Sequence, residues 1–88
     1  MLAWLKCSVI NKGMFENEYA IESKNKEGKN FSLFANKRIV RKKNGEAYVK
    51  VTLLEKRDKE SVVILPSEPY ELSSRVIVVD NSMLKEGN

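Results

Sequence analysis

The sequence predicts an all-β protein: a small antiparallel barrel that is partly open, or a sandwich, of about five to seven short strands. In several segments every second residue is apolar, which is the period of a strand with one buried face. Turn signals separate these segments at intervals of about ten residues. No long segment has the apolar spacing of a helix. A partly closed barrel is favoured, because the chain has little helix to cover strand edges.

The clearest β signal lies in residues 46–66, which predict a hairpin. Valine and threonine are frequent there, and both fit a pleated surface better than a helix. A charged turn, residues 57–60, separates the two strands. The first strand carries its apolar residues at alternate positions, Ala47, Val49, Val51 and Leu53.

The register of this hairpin depends on its turn. A turn tip at residues 58–59 pairs Leu53 with Ile64, and it also pairs Glu55 with Val62. A shift by one residue stays open, because no Asn-Gly dipeptide marks the turn.

Other strands are predicted on both sides of this turn. Residues 61–65 are apolar on both faces, so this strand should be covered on both sides. Pro66 ends it, because proline has no N–H for the ladder. The remaining segments with strand periodicity are residues 2–10, 17–24, 31–35 and 75–80, with turns predicted at residues 11–13 and 25–29.

Residues 36–43 allow more than one interpretation. Ile39 and Val40 are adjacent apolar residues among cations, which favours an irregular crossing or one helical turn that docks one of them on the core. A short strand over residues 38–42 is also open, because the turn dipeptide Asn44-Gly45 can join it to the main hairpin.

The C-terminal part predicts less regular structure. Residues 67–74 should form an irregular loop anchored by Tyr70 and Leu72. Residues 81–88 should be a polar tail that frays, with Met83 and Leu84 docked on the core.

Length and composition bound the class of protein. The 88 residues suffice for one β-domain, and 42% hydrophobic residues argue against disorder. No apolar run reaches the length of a membrane helix, and the apolar N-terminal segment lacks the charged leader and cleavage site of a signal peptide. Cys7 is the single cysteine and can form no disulfide within the chain. We therefore predict a cytoplasmic protein.

The residue types exclude most chemistry. The chain has no histidine, the usual general base near neutral pH and the commonest metal ligand. One cysteine without histidine does not make a zinc site, and the four glycines are isolated, so none forms a phosphate loop. We expect no enzymatic activity, no cofactor and no metal.

Charge is the feature that points to a function. Residues 31–50 contain six cations and one acid, so the whole net charge of +4 is concentrated there. Cations that neutralise phosphates, beside aromatic rings that stack on bases, are typical of surfaces for single-stranded nucleic acid. We therefore predict weak, sequence-nonspecific binding of RNA or single-stranded DNA. The residues predicted to contact it are Lys37, Arg38, Arg41, Lys42 and Lys43 at the phosphates, and Phe34 and Tyr48 at the bases.

Two other interpretations stay open. Lysine-rich edges also keep β-proteins from aggregating, so the cations are alternatively a solvated face. The chain is otherwise a protein-interaction module or homodimer that uses an exposed strand edge, with Trp4, Tyr48 and Leu54 facing outwards.

Two strings carry a resemblance to other proteins. SLFANKRIV and VVILPSEPYELSSRVIVV resemble segments of short, uncharacterised bacterial β-rich proteins, and the resemblance covers about residues 14–84. It implies a cytoplasmic, single-domain β-fold. It carries no functional residues to this chain.

Overall fold

The computed structural model describes residues 1–12 and 16–87, and of Asn11 and Lys12 only the backbone. Eight strands and two short 3-10 turns, at Lys37–Ile39 and Asn81–Met83, form within the described residues. The strands are β1 (Leu2–Lys12), β2 (Glu18–Lys24), β3 (Asn30–Asn36), β4 (Val40–Lys43), β5 (Glu46–Lys56), β6 (Glu60–Ile64), β7 (Val76–Asp80) and β8 (Leu84–Glu86). The predicted all-β class is confirmed.

All strand pairs are antiparallel, and the sheet curls into a half-barrel. Its main order is β3-β2-β1-β5-β6-β7, with β4 added to β5 and β8 added to β1. The two 11-residue strands β1 and β5 lie at the centre, and each pairs with three others. The N-terminal strand is therefore integral to the sheet.

The hydrophobic core lines the inner face of the curled sheet. Alternate residues of each strand point into it, as the period of two predicts. Leu5 of β1, Val49 of β5 and Val63 of β6 are fully buried in this cluster. The largest side chains that join them are Phe31, Ile21, Leu33 and Leu65.

The β5–β6 hairpin has a bulge that the sequence did not predict. Glu55 pairs with Val62 as expected, but Leu53 pairs with Val63, so the predicted pairing of Leu53 with Ile64 is wrong. The register shifts at Leu54 because β5 carries one extra residue there. The bulge keeps Leu53 and Val63 together on the inner face.

The strand β6 is covered on its inner face only. Ser61 and Val63 are buried, whereas Val62 and Ile64 are half-exposed on the outer face. The prediction of cover on both sides is therefore wrong. The antiparallel sheet has no helix layer to place over its outer face, which is the usual situation for such sheets.

Residues 36–43 combine two of the expected structures. A 3-10 turn covers Lys37–Ile39, and the strand β4 follows. Ile39 and Val40 both pack on the core. Asn44 (φ 52°) and Gly45 (φ 79°) then form the tight turn into β5, with the two positive φ angles that a type I′ turn requires.

Residues 66–75 connect β6 to β7 and pass along the edge strand β3, with which they make one bridge. The Tyr70 N–H donates to the Ser32 carbonyl at 2.7 Å, and the Ser32 N–H donates to the Glu71 carboxylate at 3.0 Å. Leu72 packs on the core as predicted, whereas Tyr70 is 56% exposed and is held mainly through its backbone. The edge of β3 is thus paired at this point.

The C-terminal segment is more regular than the sequence predicted. Instead of fraying after Asp80, the chain makes a 3-10 turn and then pairs β8 with Ala3–Leu5 of β1. The Asp80 carboxylate caps this turn by accepting from the Ser82 N–H at 3.0 Å. Met83 and Leu84 pack on the core as predicted.

One predicted turn lies partly outside the described residues. A turn at residues 11–13 was expected, but β1 continues through Lys12. Gly13, the other residue of that prediction, is not among the residues described.

Because Leu5 is buried in the core and Leu54 is exposed, the same substitution at these two leucines should lower the free energy of unfolding by different amounts. Leu5→Ala leaves a cavity at a fully buried site and should lower the free energy of unfolding by about 2–5 kcal/mol. Leu54→Ala, at a side chain that is 54% exposed, should cost much less, within about 0.5 kcal/mol. Urea denaturation of both variants measures this, and equal losses would contradict the assignment.

Candidate functional site

A cluster of cations and aromatic rings covers the outer face of the sheet where β8, β1, β5 and β4 lie side by side. Trp4 follows the core residue Ala3, and Tyr48 follows the core residue Ala47, so both rings point to the outer face. Their cross-strand partners are lysines and one arginine. We call this cluster the basic–aromatic patch, and its members are Trp4, Lys6, Arg41, Lys43, Tyr48, Lys50 and Lys85.

Three of the five cations lie over the two rings. The Arg41 guanidinium carbon is 4.2 Å from the centre of the Trp4 ring, and Lys50 Nζ is 5.5 Å from it. Lys85 Nζ is 4.9 Å from the centre of the Tyr48 ring. Such contacts stabilise by about 0.5–1 kcal/mol each at exposed sites. Both aromatic residues are only 7% exposed as a result, although neither belongs to the core cluster.

Two of the cations on the outer strands reach across the patch. Arg41 pairs in register with Tyr48, yet its side chain reaches over to Trp4. Lys85 pairs in register with Trp4, yet its side chain reaches over to Tyr48. Together they form a cationic roof over both rings, supplied by the two outer strands β4 and β8.

Two carboxylates border the patch, and both are paired. Glu46 accepts a 2.5 Å hydrogen bond from the Tyr48 hydroxyl and lies 4.0 Å from Lys6 Nζ. The hydrogen bond, followed by the charge of Lys6, lowers the pKa of Glu46. Glu86 is paired with Lys56. Five cations thus face two carboxylates, so the patch is net positive.

A small cavity opens within the patch. It measures about 120 Å3 and is lined by Trp4, Arg41, Lys43, Tyr48, Lys85 and Glu86. The indole N–H of Trp4 is buried and has no hydrogen-bond partner among the described residues. Lys43 and Lys85 make no ion pair within the part of the chain that the structure describes.

The structure places the predicted site residues in three separate regions. Arg41, Lys43 and Tyr48 come together in the patch. Lys42 lies between Arg41 and Lys43 in β4, so its side chain points to the other face of the sheet. There Lys42 Nζ is 4.5 Å from the centre of the Tyr19 ring. Lys37 is 5.0 Å from the same ring.

The other two predicted residues lie apart from the patch. Arg38 is exposed in the 3-10 turn before β4. The Phe34 ring packs edge-on against Tyr70 of the segment that passes along β3, with 6.0 Å between ring centres. Phe34 and Tyr48 therefore do not form one stacking surface.

Sequence reasoning missed three cations of the patch. Lys6 and Lys50 share the period of Trp4 and Tyr48, so the alternation along β1 and β5 already placed them on the same face. Lys85 gave no comparable signal, because its position depends on the pairing of β8 with a strand at the other end of the chain. Trp4 was assigned to a protein-binding surface, but its ring is covered by cations.

Cys7 lies on the opposite, inner face. It belongs to the hydrophobic core cluster, and burial raises the pKa of its thiol to about 12. A neutral, buried thiol is a poor nucleophile, so Cys7 contributes packing rather than reactivity.

No three Cys, Asp or Glu side chains in residues 1–12 and 16–87 are placed to hold a metal ion. Within the same residues no helix has the length and apolar character needed to cross a membrane. The chain matches no protein-family model, no curated protein and no solved structure.

The cationic roof predicts a change in the surroundings of Trp4 when Arg41 is removed. Arg41→Ser should expose the indole ring, which raises its quenching by acrylamide and shifts its emission to longer wavelength. Arg38→Ser is the matched control, because Arg38 lies three residues earlier in the chain and contacts no ring among those described. Trp4 is the single tryptophan, so the signal is unambiguous. Equal quenching of both variants would contradict the roof.

Proposed function

We propose that this protein binds single-stranded RNA or DNA without sequence preference through the basic–aromatic patch. The observation that carries the proposal is the placement of five cations around two aromatic rings on one sheet face. Surfaces that bind single strands combine these two elements: cations along the sugar–phosphate backbone and rings on which bases stack.

Binding exchanges one set of contacts for another. In the free protein Arg41, Lys50 and Lys85 lie over Trp4 and Tyr48. When a strand arrives, its phosphates draw the lysines and Arg41 away from the rings, and the bases take their place. A cation over a ring contributes about 0.5–1 kcal/mol at an exposed site, whereas a base stacked on an aromatic residue contributes about 1–3 kcal/mol. The exchange therefore favours the bound state.

The residue types of the patch explain why sequence should not matter. Asparagine and glutamine, which form paired hydrogen bonds with adenine, do not occur among the seven patch residues, and the lysines and Arg41, which can bond to guanine, are assigned to phosphates in the proposed complex. Lysines interact with the charge of the phosphates, which is the same in every sequence, and any base can stack on an aromatic ring. A broad sheet face also lacks the protruding helix or ribbon that enters the major groove of a duplex, so single strands are the proposed ligand.

The proposed location is the cytoplasm. A single cysteine that can form no disulfide within the chain is typical of proteins from reducing compartments.

The proposal predicts steep salt dependence. Five phosphate contacts on a single strand give a log–log slope of about −3.5, so affinity for a labelled random oligonucleotide should fall about 100-fold between about 50 and about 200 mM salt. The double variant Lys43→Glu with Lys85→Glu should bind about tenfold more weakly or worse at the lower salt concentration. Fluorescence anisotropy measures both effects.

Two charge-matched double variants locate the binding face. Lys29→Glu with Lys59→Glu changes two exposed turn lysines outside the patch and should leave binding nearly intact. Lys37→Glu with Lys42→Glu changes the cations near Tyr19. This double variant should lose less affinity for the oligonucleotide than the double variant at Lys43 and Lys85. Absence of binding at low salt, or equal losses in all three variants, would overturn the proposal.

A second candidate function is self-association through an apolar row next to the patch. Strand register aligns four outer-face residues across β1, β5, β6 and β7: Leu2, Thr52, Ile64 and Val76. Leu2, Leu54 and Val76 are large exposed apolar residues in this area. Such residues favour an interface when they are contiguous.

Analytical ultracentrifugation tests self-association independently of nucleic-acid binding. If the apolar row is an interface, the protein should dimerise at high concentration, and Leu54→Glu with Val76→Glu should return it to a monomer. Lys29→Glu is the control, because it changes charge without touching the row. A wild-type protein that stays monomeric at high concentration would exclude this function.

A further inference from the structure

The strand β4 has an open outer edge. It pairs with β5 on one side, and no strand pairs with its other side in residues 1–12 and 16–87. The edges of β3 and β7 are engaged instead: residues 67–71 bond to β3, and the Val78 carbonyl of β7 accepts from the Lys26 N–H at 2.8 Å. The outer strand β8 has only three residues. An open edge is a template on which another chain can add a strand.

The register of the β4–β5 hairpin identifies the backbone groups that point outwards. In a hairpin with a two-residue turn, the residues that flank the turn form a hydrogen-bonded pair, and such pairs recur at every second position. Lys43 and Glu46 flank the turn here, so Arg41 and Tyr48 are the next bonded pair. Lys42 lies between these pairs and therefore directs its backbone N–H and carbonyl away from β5.

Three backbone groups are available at this edge. Val40 faces outwards like Lys42, but its N–H donates to the Lys37 carbonyl and closes the 3-10 turn. The Lys42 N–H, the Lys42 carbonyl and the Val40 carbonyl have no hydrogen-bond partner among the described residues. Lys42 is exposed, so a partner can reach the edge. An antiparallel strand that adds here satisfies all three groups.

The side chains of β4 select the charge of the added strand. Arg41, Lys42 and Lys43 are three consecutive exposed cations. Residues directly opposite each other on antiparallel strands stabilise the pair when their charges are opposite and destabilise it when their charges are alike. The β4 strand of a second copy places cations opposite cations, so the edge disfavours pairing with itself. A strand with three consecutive aspartates or glutamates carries the matching charges.

We propose that the β4 edge binds an acidic, extended peptide segment of a partner protein by strand addition. The Lys42 N–H and carbonyl exchange two hydrogen bonds with the peptide backbone, and the Val40 carbonyl accepts a third. Arg41, Lys42 and Lys43 face three consecutive acids of the peptide. Main-chain bonds supply the affinity of such complexes, and side chains supply the selectivity. This inference does not rest on nucleic-acid binding, but it shares Arg41 and Lys43 with the basic–aromatic patch, so the two ligands compete.

The first experiment measures amide hydrogen exchange in the wild-type protein. In the free protein the Lys42 amide should exchange faster than the amides of Arg41 and Lys43, because only the latter two bond to β5. The probe is a capped peptide of sequence TVEEEVT, and its matched control has the sequence TVKKKVT. At a TVEEEVT concentration of about ten times its Kd, the Lys42 amide should exchange about tenfold more slowly, because only the unbound fraction exchanges. The basic peptide should not bind.

The second experiment separates the backbone donor from the charge. Lys42→Ala and Lys42→Pro both remove the cation, but only proline removes the N–H, and an edge strand accepts proline where the N–H faces outwards. Lys42→Ala should weaken binding of labelled TVEEEVT about two- to fivefold. Lys42→Pro should weaken it by a further factor of about 2–10, the effect of one hydrogen bond. Urea denaturation verifies that both variants are folded, and the exchange measurement depends on neither.

The outcomes distinguish strand addition from attraction by charge alone. If TVEEEVT binds without slowing exchange of the Lys42 amide, or if Lys42→Pro binds it as well as Lys42→Ala does, strand addition is wrong. Absence of binding, or equal binding of TVKKKVT, overturns the inference as well. An oligonucleotide should displace the acidic peptide without itself slowing exchange at Lys42. If the oligonucleotide binds and the acidic peptide does not, the proposed function stands and this inference fails.

Discussion

The pairing of β1 with β5 is the constraint on which the rest of the molecule depends. Both strands are 11 residues long, and each is bonded to three other strands. The side chains of each strand alternate between the two faces, so Leu5 and Val49 enter the core while Trp4 and Tyr48 emerge on the outside. A slip of one residue would exchange these faces. Burial of the core therefore also fixes where the rings and their cations lie.

The concentration of positive charge in the patch has a cost within the sheet. Like charges on adjacent strands repel one another and destabilise a sheet by fractions of a kcal/mol per pair. The patch places Lys6 and Lys50 on neighbouring strands and adds Arg41, Lys43 and Lys85 around them. The rings and Glu46 relieve part of this repulsion. The phosphates of the proposed ligand would relieve the rest.

The sequence predicted the parts of the fold that depend on local patterns. Alternation along residues 46–53 placed Val49 and Val51 in the core, and the dipeptide Asn44-Gly45 marked the turn that joins β4 to β5. The bulge at Leu54 has no such marker, because it results from the way β5 meets β6. The antiparallel partner decides whether an extra residue is accommodated, and a single strand does not reveal it.

The candidate site was only partly predictable for a related reason. Composition treats the cations of residues 37–43 as one group, whereas a strand sends Lys42 to one face and its two neighbours to the other. The phase of that strand was ambiguous, because Ile39 and Val40 are adjacent apolar residues and both pack on the core. Lys85 joins the patch through a pairing between distant parts of the chain, which no local pattern encodes.

The pairing of β8 with β1 has a consequence for how the protein is made. Leu84 lies beside Leu5, so this contact closes a loop that spans most of the described chain. Contacts of such large sequence separation form late and slow the folding of β-proteins. Lys85 takes its place over Tyr48 only after that closure. The basic–aromatic patch is therefore complete only after β8 has paired with β1, which is a late step of folding.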